Sequence, residues 1–210
     1  MARKVTNGPI RNKERTKQKI LDALGTIIKK EGFANITISN VADKAAVDRR
    51  IIYNYFGNID SLIEAYIRSE DFWANVALPT TGNPVEDGGQ SLIKHLLEAQ
   101  YEELNKNKAL QKIVLWGLLE KRKSLTKIGN EREAAGEMLL SGISDPFFGE
   151  KATQFRAMMA ILAAGLYYIT LYGGVNGKTF GGIDVTKPQG RAEIKKAVAG
   201  LVDMVYKELP

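Results

Sequence analysis

Apolar residues recur along this chain every three and four positions, the spacing of one helix face. The first run predicts a helix from about Asn12 to Glu31, with Ile20, Leu21, Leu24, Ile27 and Ile28 as its stripe and Gly32 ending it. Two short patterns follow. Ile38, Val41, Ala42 and Ala45 share a face behind Thr37; Ile52 and Phe56 turn inward behind Asp48, leaving Arg49, Arg50, Tyr53, Asn54 and Tyr55 largely outward. Thr37 and Asp48 are both N-cap residue types. A fourth helix is expected near Asn58, with Asp60 favourably set against its dipole. Its stripe is Leu62, Ile63, Tyr66, Ile67, Trp73, Ala74 and Ala77, and Pro79 closes it. The segment 79–89 reads as a loop. Beyond it helical patterns cover about 90–105, 108–122, 124–141, 151–172 and 191–208, with breaks at Pro146 and in the glycine-rich 173–190. No convincing period-two strand run stands anywhere. The pattern therefore predicts an all-α fold of about nine helices, a small domain over residues 1–57 followed by a larger helical one over 58–210.

The two short helices and the third that follows have the plan of a helix-turn-helix, which lays one helix in the major groove of DNA. Charge agrees with that plan. Residues 1–68 hold 13 Lys and Arg against 7 Asp and Glu, so this segment carries the whole net charge of +6. Arg3, Lys4, Arg11, Lys13, Arg15, Lys17 and Lys19 form a basic arm and first turn. Such groups displace counterions from phosphate, which gives affinity for any nucleic acid.

Other functions are narrowed by what the chain lacks. Without cysteine there are no disulfides or thiolate metal sites, which fits a reducing cytoplasm. The polar, basic start carries no signal-peptide pattern. His95 is the only histidine, beside Leu92, Leu96 and Ala99, and a hydrogen-bonding role is expected for it; no metal or cofactor is expected. An enzyme is not the expected reading. Gly177, Lys178 and Thr179 end like a phosphate-cradling loop, but that motif needs glycine where Tyr172 stands, and it should follow a strand. The uncharged stretch from Ala157 to Val175 is close to membrane-spanning length, yet its apolar part ends near Leu171. Ala157, Ala160, Ala164 and Gly165 suit close helix approach, so a helix buried at a subunit interface is expected instead of a membrane span.

Over residues 16–67 the order and spacing of Ile20, Leu21, Gly32, Phe33, Thr37, Val41, Ala42, Ala45, Ala46, Val47, Ile52 to Phe56 and Leu62 resemble the tetracycline-repressor (TetR) family of bacterial transcriptional regulators. Two positions depart from the family pattern. Ala46 stands where the turn usually has glycine, and Ile59 where a phosphate-touching lysine commonly opens the fourth helix. The resemblance implies a homodimer that binds a palindromic operator in double-stranded DNA and usually represses, and a C-terminal domain that binds a small-molecule effector and dimerises. A DNA-bound chromosome-organising protein without a ligand, or an activator, would carry the same module.

On the DNA-reading side, Arg49 and Arg50 are the candidates for guanine O6 and N7, or for phosphate, and Asn54 for adenine. Thr37 and Ser39 suit phosphate and base-edge contacts, with a capping role as the alternative for Thr37. Tyr53 and Tyr55 suit phosphate through their hydroxyls, with a half-buried packing role open for Tyr53; Lys44 adds sequence-independent affinity. On the sensor side, Tyr66, Glu70, Trp73, Tyr101, Trp116, Met138, Met158, Met159 and Tyr167 are candidate pocket residues, ordinary core being the alternative. Ala197, Val198, Leu201, Val202 and Val205, with the helix over 151–172, offer a dimer face.

Overall fold

A computed structural model describes residues 9–70 and 86–209. These divide into two compact units, one within Met1–Asp71 and Lys112–Ile128, the other within Phe72–Gln111 and Gly129–Pro210. Among the described residues the regular elements are helical, as the apolar spacing predicts, apart from one small hairpin.

The first unit opens with α1 (Pro9–Lys30), α2 (Ile38–Ala45), α3 (Arg49–Phe56) and α4 (Ile59–Glu70). Helix α1 starts three residues before the sequence pattern, at a proline, whose fixed φ and missing N–H suit a first turn. It ends where Gly32, at φ 85°, turns back so that its N–H reaches the Ile27 carbonyl. The core is the set of stripes read from the sequence: Ile20, Leu24, Ile27, Ile28, Val41, Ile52, Leu62 and Ile63 are fully buried. Gly25 lets α1 approach α4 closely, since a Cβ there would lie 2.8 Å from the Tyr66 hydroxyl oxygen. The later part of α6 (Lys108–Leu119) and the start of α7 (Lys123–Leu139) complete this unit. Trp73, Ala74, Ala77 and Pro79 lie outside the described residues.

The second unit holds α5 (Gln90–Lys106), the rest of α6 and α7, a wide π-type turn (Leu140–Ser144), one-turn α8 (Asp145–Phe148), α9 (Ala152–Val175) and α10 (Pro188–Glu208). Its core packs Ile93, Leu97 and Tyr101 of α5 against Phe148, Phe155, Met159 and Leu166, and Val202 and Tyr206 of α10. Phe148 stacks on Phe155 at 4.1 Å, and the Tyr206 ring meets both at steep angles. The Tyr206 hydroxyl donates to the Gly88 carbonyl at 2.8 Å, tying α10 to the turn before α5.

Three expectations are corrected here. Pro146 does not break the helical path: it sits in the first turn of α8, where its missing N–H costs nothing, and the break comes at Gly149, at φ 52°. The glycine-rich 173–190 contains a hairpin, β1 (Thr179–Phe180) antiparallel to β2 (Ile183–Asp184), too short to show a period-two pattern. Gly181 and Gly182, both at positive φ, make its turn. Helix α10 begins at Pro188, and Gly190 passes so close to Asp184 that a Cβ would lie 2.0 Å from its carbonyl oxygen. Within Lys123–Val175 lies a stretch long and apolar enough to cross a membrane, with mean hydropathy 1.6; only 22% of it is buried in a single chain. The chain's own fold therefore does not supply the burial expected for α9.

Candidate nucleic-acid interface

The helix-turn-helix is fixed at each end by its own side chains. Thr37 Oγ1 accepts the Asn40 N–H at 3.1 Å and so caps α2; Asp48 Oδ1 accepts the Arg50 N–H at 2.7 Å and caps α3. Between them Ala46 ends α2 in the left-handed region, φ 46° and ψ 57°, with its N–H on the Asp43 carbonyl. An L-residue in that conformation carries strain of about 1–2 kcal/mol. Asn58 Oδ1 caps α4 by accepting the Ser61 N–H at 2.8 Å, and Ile59 stands half-buried where a cation would be needed to touch phosphate.

Helix α3 turns one side chain, Ile52, fully into the core and half-buries Ile51, Tyr55 and Phe56. Arg49, Arg50, Tyr53 and Asn54 are exposed, Tyr53 by 53%. Neither arginine is in an ion pair among the described residues, so their guanidinium donors face solvent uncommitted. Such a face, two planar cations with an amide and a phenol, has the donor chemistry that base edges and phosphates accept. Tyr55 differs from Tyr53: the Lys13 ammonium lies 5.7 Å from its ring centroid, so the ring is a packing surface for α1. Ser39 is half-buried. The Lys44 ammonium is engaged by Glu31, a partner 13 residues away that helical spacing does not reveal.

The same unit contains a buttress that the sequence did not disclose. Trp116 of α6 is 1% exposed and stacks on Phe33 at 4.6 Å with the rings 6° from parallel. Its indole N–H donates to Glu120 at 2.5 Å, and the Arg122 guanidinium covers its other side at 5.2 Å. Arg122 also reaches Asp60 at 3.6 Å, Lys127 reaches Glu64 at 2.7 Å, and Lys112 donates to the Lys29 carbonyl at 2.7 Å. Hydrogen bonds from Lys127 and Arg68 hold the Glu64 carboxyl below the usual carboxylate range. The ends of α1 and α4 are therefore gripped by residues 112–127. Of the two roles expected for Trp116, pocket wall or ordinary core, its position is that of a core residue of this unit; its partner Phe33 is too distant in sequence for any local signal.

The family model for bacterial regulatory proteins of the tetR family matches residues 20–66, the span from the α1 core to α4. Residues 20–66 are thus similar to the tetR-family domain of bacterial regulatory proteins. That domain supports reading the chain as a DNA-binding transcriptional regulator. The chain's fold is similar to the crystal structure of a TetR-like transcriptional regulator from Rhodococcus sp. RHA1, with TM-score 0.61 and 18% identity over 92% of this chain and 96% of that one. It is also similar to the crystal structure of the HlyIIR mutant protein with residues 170-185 substituted by alanine, with TM-score 0.53 and 13% identity over 97% of each chain. No curated protein matches the chain.

The candidate sensor residues within the described stretches are divided between the two units. Tyr66 and Glu70 lie on α4 of the first unit, where burial and then the Glu70 carboxylate push the Tyr66 phenol's pKa up. Tyr101 is buried in α5 of the second unit, Met138 is 71% exposed on α7, and Met158 and Tyr167 are half-buried on α9. Trp73 lies outside the described residues. The second unit does hold a cavity of about 480 Å³ between α5, α7 and α9, and of the candidate sensor residues only Met159 lines it. The apolar periodicity marks which residues point inward but not which of them leave a gap. His95 is exposed on α5.

Proposed function

We propose that this regulator is a homodimer that binds a palindromic operator, represses from it, and is released by a small molecule bound in the domain over residues 58–210. The observation that carries the DNA side is the face of α3, where Arg49, Arg50, Tyr53 and Asn54 are exposed beside a buried Ile52 anchor. Arg49 and Arg50 read guanine, Asn54 reads adenine, and Tyr53 anchors on phosphate. Thr37 and Ser39 contact the backbone and a base edge from the start of α2, while Lys44 and Tyr55, engaged by Glu31 and Lys13, contribute less. Two copies of α3 must lie about 34–36 Å apart to enter successive major grooves. Support for pairing comes from α9 and α10, which expose Ile161, Tyr168, Leu201 and Met204. Such a protein works in the cytoplasm, beside its DNA. Release by a ligand follows from reciprocal linkage: a molecule that binds the DNA-free conformation better weakens DNA binding by the same factor.

The test is a double substitution. Arg49→Ala with Arg50→Ala removes no buried contact, so the variant should fold with an unchanged circular dichroism spectrum. It should lose about 2–6 kcal/mol of operator affinity in mobility-shift titrations. Wild-type affinity in the folded variant would refute the assignment.

A further inference from the structure

The cavity in the second unit has a volume of about 480 Å³, within the range that takes a drug-sized molecule. Its walls are largely apolar, with Ile93, Leu96, Leu97 and Met159 among them. One polar side chain stands apart from the rest. Gln100, the one uncharged polar side chain in the wall, is 4% exposed. A buried amide is normally paired, because removing it from water without a partner is costly. Here it borders the cavity, where an occupant can offer it a partner.

The charge around the cavity selects the sign of that occupant. Arg156 lines it too, but its guanidinium is committed to two carboxylates. It donates to Asp145 at 2.9 and 2.6 Å and to Glu137 at 3.0 Å. Glu133, also at the cavity, makes no ion pair among the described residues. Among the lining residues two carboxylates, Glu133 and Glu137, stand against the Arg156 guanidinium, which Asp145 outside the wall also holds, so the wall is net negative and has no uncommitted cation. An apolar anion meets repulsion here, and an apolar cation gains a carboxylate.

We infer that this cavity binds a lipophilic organic cation, its rings against Leu97 and Met159, a polar group on the Gln100 amide and its positive centre facing Glu133. The ligand-responsive reading supplies the consequence for DNA; the binding itself stands on the cavity alone. Gly136 gives the means of a clean test. It lies on α7 at the cavity wall, and an added Cβ would meet nothing within 4 Å, so Gly136→Leu enters empty space and removes a helix-weakening glycine.

The full chain is titrated against rhodamine 123 and fluorescein, xanthene dyes of similar size and opposite charge, by fluorescence polarisation. Rhodamine 123 should saturate, and fluorescein should bind about tenfold more weakly. Glu133→Gln should weaken rhodamine 123 by about three- to fivefold. Gly136→Leu should abolish its binding with circular dichroism unchanged. No saturable binding, equal or tighter binding of fluorescein, or rhodamine 123 binding that survives Gly136→Leu would overturn the inference. Saturable rhodamine 123 binding that leaves affinity for a selected operator fragment unchanged would support the site and overturn the release by ligand.

Discussion

At the scale of single residues, Ala46 states the cost of a departure from the usual turn. Its backbone sits at φ 46°, where a Cβ crowds the following carbonyl and glycine does not. Ala46→Gly should therefore raise stability by about 0.5–1 kcal/mol, after the greater freedom of glycine in the unfolded chain is set against the relieved strain. Thermal melts of the two proteins check it; an unchanged or lower midpoint would mean the turn is not strained. Thr37 and Asp48 could be read as caps from sequence because a cap acts within three residues. Lys44 could not be read correctly in the same way. Its engagement by Glu31 depends on how the end of α1 meets α2, which no local pattern contains.

At the scale of elements, the stripes of α1 to α4 were legible because each helix buries one face at a fixed period. The buttress was not, because it joins Phe33 to Trp116 and Lys29 to Lys112 across more than eighty residues. It makes α1 and α4 dependent on residues far along the chain. Trp116→Ala should cost about 3–5 kcal/mol through the lost ring and the cavity left beside Phe33. Trp116→Phe, which keeps the stack and loses the N–H to Glu120, should cost about 1 kcal/mol. Chemical denaturation followed by circular dichroism separates them; equal losses would mean the stack contributes nothing. The hairpin and the start of α10 escaped the sequence reading for a different reason. Strands of two residues carry no period, and Gly190 is required by a close approach to Asp184 visible only in three dimensions.

At the scale of the whole molecule, ion pairs set the response to acid. Glu64, Glu102, Glu137, Asp145 and Asp203 are all held below the ordinary carboxylate range by hydrogen bonds from lysine or arginine partners. For groups whose folded pKa is depressed, the stabilisation is complete above the unfolded value and is lost as pH falls through the folded one. The melting temperature should thus be level down to about pH 5 and fall below about pH 4; a level profile to pH 3 would contradict these pairings. The proposed pairing of chains is tested by Ile161→Glu, which sets a charge on a residue that is 72% exposed in one copy. Sedimentation should then show the mass of one chain, with operator affinity down by about 100-fold. The mostly bare apolar length of α9 has a consequence for how this regulator responds to its own abundance. If two chains must meet before that surface is shielded, heat resistance rises on concentrating the protein and declines on dilution. Freshly made copies would then stay inert at their target until enough have accumulated, giving a threshold dose set by this helix and not by the groove-reading residues.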